Sequence, residues 1–139
     1  MAFKVFLDAN IILDFVLKRA GYDEGKTIIG WAESGRINGF VSPSVVQICA
    51  YWTAKAYGTP KTKEIMNALL AFLTCIEIPH EQVVIALHSS MEDVEDAFQY
   101  YTAQHHQLDF VISRDKMFRQ SAFPSLPVLA PAEFIRMLE

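Results

Sequence analysis

The stretch that decides the fold lies near the start of the 139-residue chain and reads Phe3-Lys4-Val5-Phe6-Leu7-Asp8-Ala9-Asn10-Ile11-Ile12-Leu13-Asp14. Residues 3–7 form a short β-rich run, and residues 8–10 bring side chains that suit a turn and a helix N-cap. Apolar residues then recur at helical spacing up to Val16. The stretch therefore predicts a strand that leads directly into a helix.

Outward from this unit, predicted strands alternate with predicted helices. Further strands are expected at 39–41, 75–78, 110–113 and 126–129, and helices at 24–34, 43–57, 60–73, 81–88, 94–104 and 131–137. Such alternation folds as a parallel sheet with helices on both faces. We therefore predict a three-layer α/β/α fold with a mainly parallel sheet. Because no repeat, low-complexity tract or linker divides the sequence, we expect one domain over residues 1–139.

Composition limits the classes of function. A hydrophobic fraction of 52% supports a well-buried core, and a net charge of -4 gives no basic surface that would attract nucleic acid by itself. Any nucleic-acid role must therefore be argued from a site. Cys49 and Cys75 have no metal-ligand spacing and are expected to be buried free thiols in a reducing compartment. The apolar runs are too short for a signal peptide or a membrane span, so we expect a cytoplasmic protein without a membrane partner.

Three aspartates stand at positions where a parallel sheet gathers ligand groups. Asp8 follows the first strand, Asp115 follows the strand at 110–113, and Asp96 lies in the first turn of a helix between them. Ligands bind beyond the carboxyl ends of such strands, and crowded carboxylates need a cation to offset their charge. Mg²⁺ or Mn²⁺ prefers these oxygen ligands and activates water for phosphodiester hydrolysis. Each aspartate taken singly also fits a helix cap or a response to the helix dipole.

Four motifs together resemble the PIN-domain family. Phe6 to Asp14 resembles its opening motif, in which an Asp ends the first strand and Asn or Thr follows two residues later. Asp93-Val94-Glu95-Asp96-Ala97 resembles its central acidic helix start. Phe110-Val111-Ile112-Ser113-Arg114-Asp115 resembles its strand ending in Thr/Ser-Arg-Asn/Asp, and residues 128–134 resemble its closing strand and helix. The motifs come in the family's order and span nearly the full chain.

The resemblance implies a metal-dependent ribonuclease that cuts RNA with Mg or Mn, often the toxin of a toxin–antitoxin pair. Asp8, Asp96 and Asp115 would be its catalytic metal ligands, and Asn10 and Ser113 would steady the site by hydrogen bonding. The resemblance also implies a homodimer and an antitoxin partner.

The chain departs from the family in one helix. The family usually places a Glu in the helix that begins near Ser42-Pro43, where this chain has Ile48 with Gln47 beside it. Gln47 offers a neutral oxygen to a metal-bound water but supplies no charge and no base. Asp93 either compensates, three residues before Asp96, or serves as the N-cap of that helix. The departure keeps open a catalytically weakened PIN-like module that binds RNA or a protein partner.

Other interpretations compete with these. A haloacid-dehalogenase-like phosphatase also carries an Asp after its first strand, but Asn10 stands where its second acid belongs. A set of cations forms either a basic rim beside the acids or ordinary solubilising charge, namely Lys18, Arg19, Arg114, Lys116 and Arg119. A set of aromatics either stacks on bases or fills the core or a subunit contact, namely Tyr51, Trp52, Tyr100 and Tyr101.

Overall fold

A computed structural model describes residues 2–139 and contains one five-stranded sheet. Its strands are β1 (Lys4–Leu7), β2 (Asn38–Val41), β3 (Leu73–Cys75), β4 (Phe110–Ile112) and β5 (Val128–Leu129). They lie in the order β3-β2-β1-β4-β5, and every neighbouring pair is parallel. Because Leu7 lies beside Ile112 in the register of β1 and β4, these two strands end at the same level of the sheet.

Helices flank this sheet, which confirms the predicted three-layer α/β/α class. They are α1 (Ala9–Val16), α2 (Tyr22–Ser34), α3 (Pro43–Tyr57), α4 (Thr59–Leu70), α5 (His80–His88), α6 (Val94–His105), α7 (Lys116–Gln120) and α8 (Pro131–Leu138). The predicted start and stop signals act as expected. Ser42 Oγ accepts a hydrogen bond from the Val45 N–H at the start of α3, and Gly35 ends α2 with a left-handed φ of 82°. Within residues 2–139, no helix is both long and apolar enough to cross a membrane.

The core lies on both faces of the sheet. Val5, Phe6 and Leu7 of β1 are fully buried, as is the pair Val111 and Ile112 of β4. A strand whose consecutive side chains are all buried is typical of a parallel sheet covered by helices on both sides. The central position of β1 and β4 leaves the residues that follow them at the middle of the sheet edge.

Two local predictions are corrected, and one element was missed. The third strand lies at 73–75 rather than 75–78, because α4 already ends at Leu70 and Leu73 is the buried residue that pairs with Gly39. The short helix α7 was not predicted. Cys49 and Cys75 are free, but only Cys49 is buried and Cys75 is exposed.

Two glycines test this packing. A Cβ at Gly39 would lie 2.5 Å from Leu73 Cδ2 and 3.2 Å from the Ala32 Cβ, whereas a Cβ at Gly30 on the exposed face of α2 would meet no atom within 4 Å. We expect Gly39→Ala to lower the free energy of unfolding by about 1–3 kcal/mol through overpacking. Gly30→Ala, the matched control, should raise it by about 0.5–1 kcal/mol through helix propensity. Urea unfolding measures both, and equal effects of the two substitutions would contradict this packing.

Candidate active site

Asp8 stands at the carboxyl end of β1 and is held by the end of β4. Its side chain is 3% exposed, and Ser113 Oγ, which is fully buried, donates a 2.7 Å hydrogen bond to Asp8 Oδ2. The same Ser113 Oγ accepts a 3.1 Å hydrogen bond from the Asp115 N–H. One serine hydroxyl therefore fixes the Asp8 carboxylate and the backbone that carries Asp115.

Burial raises the pKa of Asp8 above its usual value. Hydrogen-bond donors lower that pKa in part, namely the Ser113 hydroxyl, the Gln99 side-chain amide and the backbone N–H groups of Ala9 and Asn10. These donors all stabilise the charged form. Asp8 is thus a buried carboxyl group whose donors offset only part of the cost of burying its charge.

Asp96, in the first turn of α6, shares this region. Burial first, and then the negative charges of Asp93, Asp8 and Asp115, raise the pKa of Asp96 from 3.8 to about 8. A side-chain hydrogen bond between Asp96 and Asp115 favours the protonated form further. At neutral pH Asp96 therefore holds a proton, because four carboxyl groups lie close enough to repel one another.

A pocket of about 440 Å³ opens over these acids, between the start of α6 and α7. Asp93, Asp96 and Asp115 line it together with Met117 and Phe118. Asp93 accepts a 3.1 Å hydrogen bond from the Asp96 N–H, and Asp115 accepts bonds of 2.9 and 3.4 Å from the N–H groups of Met117 and Phe118. Asp93 and Asp115 are therefore helix caps as well as members of the acidic cluster.

A second pocket, of about 540 Å³, shares Asp115 with the first and is named the basic pocket after its two arginines, Arg19 and Arg114. Its centre is Asp14, which is 4% exposed and pairs with two arginines: Arg19 Nε at 3.1 Å and Arg114 Nη1 at 2.5 Å. Arg19 also donates a 2.9 Å hydrogen bond to Asn10 Oδ1. The Asn10 side chain therefore holds Arg19, while its backbone N–H acts on Asp8.

Glycine leaves room for this ion-paired group. A Cβ at Gly21 would overlap the Arg114 guanidinium and the Asp14 carboxylate. Each arginine side chain is 41% exposed, so both guanidinium groups are anchored at one edge and open to solvent at the other. Sequence reasoning noticed the cations but missed Asp14, whose position in an otherwise apolar stretch of α1 was the available signal.

A third pocket, the α3/α6 groove, has a volume of about 660 Å³ and marks the place where the sequence departs from the resemblance. Gln47 and Ile48 of α3 line it opposite Gln99 of α6. Gln99 is 3% exposed, and its Oε1 finds no hydrogen-bond partner among residues 2–139. Sequence reasoning missed Gln99. Its spacing of three residues from Asp96, which places both on one helix face, could have indicated it.

The four predicted aromatic residues separate into a buried pair and an exposed pair. Tyr100 and Tyr101 are buried, and the Tyr100 hydroxyl donates to the Leu126 carbonyl, so these two fill the core. Tyr51 and Trp52 are 55% and 49% exposed on α3. Arg119 donates a 2.7 Å hydrogen bond to the Arg114 carbonyl and so belongs to the basic pocket's surroundings.

The acids fit a divalent cation by the chemistry of their donors. Across residues 2–139, no three His, Cys, Asp or Glu side chains are arranged so that they could hold a metal ion as they stand. Asp8, Asp96 and Asp115 nevertheless supply the hard oxygen ligands that Mg²⁺ and Mn²⁺ prefer. Burial first, and then the charges of the neighbouring carboxyl groups, raise the pKa of Asp96, and a bound cation would offset the charge part of that effect.

Comparison with known sequences decides the family. The sequence model of the PIN domain matches residues 4–117, which contain Asp8, Asp96 and Asp115. The chain belongs to the PIN domain family. PIN domain proteins are generally endoribonucleases. A comparison with curated protein sequences found no significant match.

Solved PIN-like structures share the fold of this chain at low sequence identity. A toxin–antitoxin complex from Klebsiella pneumoniae has a TM-score of 0.64 and 21% identity, covering 88% of this chain and 94% of its own. VapC20 from Mycobacterium tuberculosis, a toxin that cleaves the sarcin–ricin loop, has a TM-score of 0.68 and 12% identity, covering 88% and 98%. VapBC2 from Rickettsia felis, bound to a promoter DNA fragment, has a TM-score of 0.68 and 14% identity, covering 91% and 98%.

The protonated Asp96 predicts how stability changes with pH. Because its pKa rises from 3.8 to about 8 on folding, Asp96 contributes stability that is fully present below pH 3.8 and is lost as the pH rises through about 8. Asp96→Asn cannot ionise. Between pH 5 and 8.5 in EDTA, its Tm should therefore fall by roughly 3–6 °C less than that of the wild-type protein.

The matched control is Asp109→Asn, since exposed Asp109 lies at the opposite end of β4 and accepts a hydrogen bond from the Lys4 N–H. Its Tm should follow the wild-type dependence on pH. Thermal unfolding followed by circular dichroism measures all three proteins. If the Tm of Asp96→Asn shows the same pH dependence as that of the wild-type protein, Asp96 does not hold a proton at neutral pH.

Proposed function

We propose that this protein is an endoribonuclease that hydrolyses RNA phosphodiester bonds with Mg²⁺ or Mn²⁺ at Asp8, Asp96 and Asp115. One observation carries the proposal: carboxyl groups from β1, α6 and the end of β4 are crowded into one region, where burial, together with their negative charges, raises the pKa of Asp96 to about 8. Such crowding costs stability in the apo protein. A bound cation would offset this repulsion, which would explain why the carboxyl groups are placed together.

Each residue has a defined task in this proposal. Asp8, Asp96 and Asp115 would hold the ion, and Asp96 would release its proton as the ion binds. The bound ion would supply an activated water and screen the charge on the reacting phosphate. Ser113 keeps the Asp8 carboxylate in place through its 2.7 Å hydrogen bond, and Asp93 holds the start of α6 and adds negative charge beside Asp96.

The basic pocket supports a polyanionic substrate. Arg19 and Arg114 flank the acids next to Asp115, and buried Asp14 fixes both guanidinium groups without covering them. These three side chains together carry one net positive charge, which the carboxylate of Asp115 in the same pocket balances. A phosphate of the RNA strand next to the cleaved bond would bind there, because fixed guanidinium groups pair well with phosphate oxygens.

Partners follow from the same proposal. The structures from Klebsiella pneumoniae and Rickettsia felis are toxin–antitoxin assemblies, which supports an antitoxin protein as a partner of this chain. Exposed apolar side chains on α3 and α5 support a homodimer, namely Tyr51, Trp52, Val84, Ile85 and Leu87. We further propose that residues 1–139 act as one domain in the cytoplasm.

The first test of function measures cleavage of a mixed-sequence single-stranded RNA with Mg²⁺ or Mn²⁺. We expect activity that EDTA abolishes. Asp8→Asn and Asp115→Asn should each lower the rate by about 100-fold or more, since losing a ligand should cost at least as much as losing an outer-shell partner. Asp109→Asn, at the other end of β4, should keep the wild-type rate. Equal rates in Asp8→Asn and wild type would show that a contaminant cuts the RNA.

A second test concerns the arginines. Arg114→Gln should raise KM with a small change in kcat, and should reduce the slope of log affinity against log salt by about 0.7 if one single-strand phosphate contact is lost. Binding is measured by fluorescence anisotropy with labelled RNA in Ca²⁺ or EDTA. Lys63→Gln, on an exposed face of α4, is the charge-matched control. An unchanged salt slope in Arg114→Gln would exclude the basic pocket as a phosphate site.

A noncatalytic PIN module that binds RNA or a protein is the second candidate. Ile48 favours it, because this side chain supplies no ligand where the family usually carries a Glu. RNA binding without cleavage in Mg²⁺ and in Mn²⁺, together with no saturable Mn²⁺ binding by calorimetry, would establish this candidate instead. Cleavage that is lost in Asp8→Asn would exclude it.

A further inference from the structure

Gln99 is a buried polar side chain that no step of the proposed reaction yet uses. It lies on α6, one helical turn after Asp96, and is 3% exposed. Long polar side chains are rarely buried to this extent unless both ends of the amide have partners. In this protein the Gln99 carbonyl oxygen Oε1 has no hydrogen-bond partner among residues 2–139.

The orientation of the Gln99 amide follows from its effect on Asp8. Gln99 acts on Asp8 through a side-chain hydrogen bond that lowers the pKa of that carboxyl group. Only a donor does so, which places the Nε2 amide hydrogens toward Asp8. The carbonyl oxygen Oε1 is left buried and without a partner. The amide thus presents a free acceptor at the edge of the acidic cluster.

The position of this acceptor is informative. Gln99 and Ile48 line the same α3/α6 groove, so Gln99 lies in the same groove as the residue at the position of the family's Glu. Gln47 is exposed in that groove, whereas Gln99 is buried and already in contact with Asp8. Of the two glutamines, Gln99 is therefore the one joined to the proposed metal ligands.

We propose that Gln99 is a positioning residue of the metal centre, in which Nε2 orients Asp8 and Oε1 accepts a hydrogen bond from a water in the ion's hydration shell. Mg²⁺ and Mn²⁺ retain several waters, and these waters need acceptors. The neutral Gln99 oxygen on α6 then accepts a hydrogen bond from a metal-bound water, which partly replaces the missing acid of α3. This inference rests on the proposed function, because it assigns Gln99 to the same metal site.

The test compares Mn²⁺ binding by calorimetry in wild type, Gln99→Leu, Gln99→Glu and Gln104→Leu. Gln99→Leu keeps the approximate volume and removes both hydrogen-bonding groups, and it should weaken Mn²⁺ binding by about 10-fold or more. Gln104→Leu, a partly buried glutamine at the end of the same helix, should bind Mn²⁺ as wild type does. Unchanged binding in Gln99→Leu overturns the inference.

Gln99→Glu separates a positioning role from a merely structural one. A carboxylate beside Asp8 should lower the Tm of the apo protein, and Mn²⁺ should raise that Tm by more than it does in wild type, because the ion offsets the added charge. A residue that only fills space would lower the apo Tm in both variants and leave the Mn²⁺-induced shift of Gln99→Leu equal to that of wild type. That outcome would overturn the inference even if the variants fold less well.

Failure of this inference is distinguishable from failure of the proposed function. Metal-dependent RNA cleavage with unaltered Mn²⁺ binding in Gln99→Leu would leave the nuclease standing and remove Gln99 from its site. Mn²⁺ binding that Gln99→Leu weakens, without RNA cleavage in wild type, would support Gln99 and overturn the nuclease. No saturable Mn²⁺ binding in wild type would overturn both.

Discussion

The hydrogen bond from Ser113 to Asp8 is the contact on which the arrangement of the site depends. It joins the ends of β1 and β4, which are neighbours in the sheet, and it does so with a hydroxyl that also accepts from the Asp115 backbone. Because Ser113 is fully buried, its hydroxyl has no competing water and keeps one orientation. The position of Asp8 relative to Asp115 is therefore set by the sheet and not by loop conformation.

Acidic and basic side chains occupy separate places around this contact, which the net charge of the protein does not show. The acids gather between α6 and α7, and the arginines gather around Asp14, with Asp115 lining both pockets. An acidic protein with a net charge of -4 can in this way present two partly exposed guanidinium groups directly beside its acidic cluster. The absence of a basic excess in the sequence therefore excludes a general attraction to nucleic acid but not local recognition of phosphate.

The sequence predicted the positions of the aspartates at the strand ends, but it did not predict the roles of Asp14 and Gln99. Asp8 and Asp115 were predictable because each follows a strand, and parallel strands end at the same edge of a sheet. The strand order that makes β1 and β4 adjacent is a tertiary property, which no local pattern encodes. Asp14 and Gln99 escaped prediction for a related reason. Each lies within a helix whose periodicity predicts burial but does not identify the polar group that will be found opposite it.

The loss of an acid from α3 need not leave the site without a functional neighbour. A Glu at position 48 would add a further negative charge to a cluster that already holds a proton at neutral pH, since the pKa of Asp96 is about 8. Ile48 avoids that repulsion, and the buried amide of Gln99 offers a donor to Asp8 and an acceptor on the side of the groove. The physical consequence is a site with less charge and more hydrogen bonding, in which a cation would be held by fewer ionic contacts and by better-oriented ones.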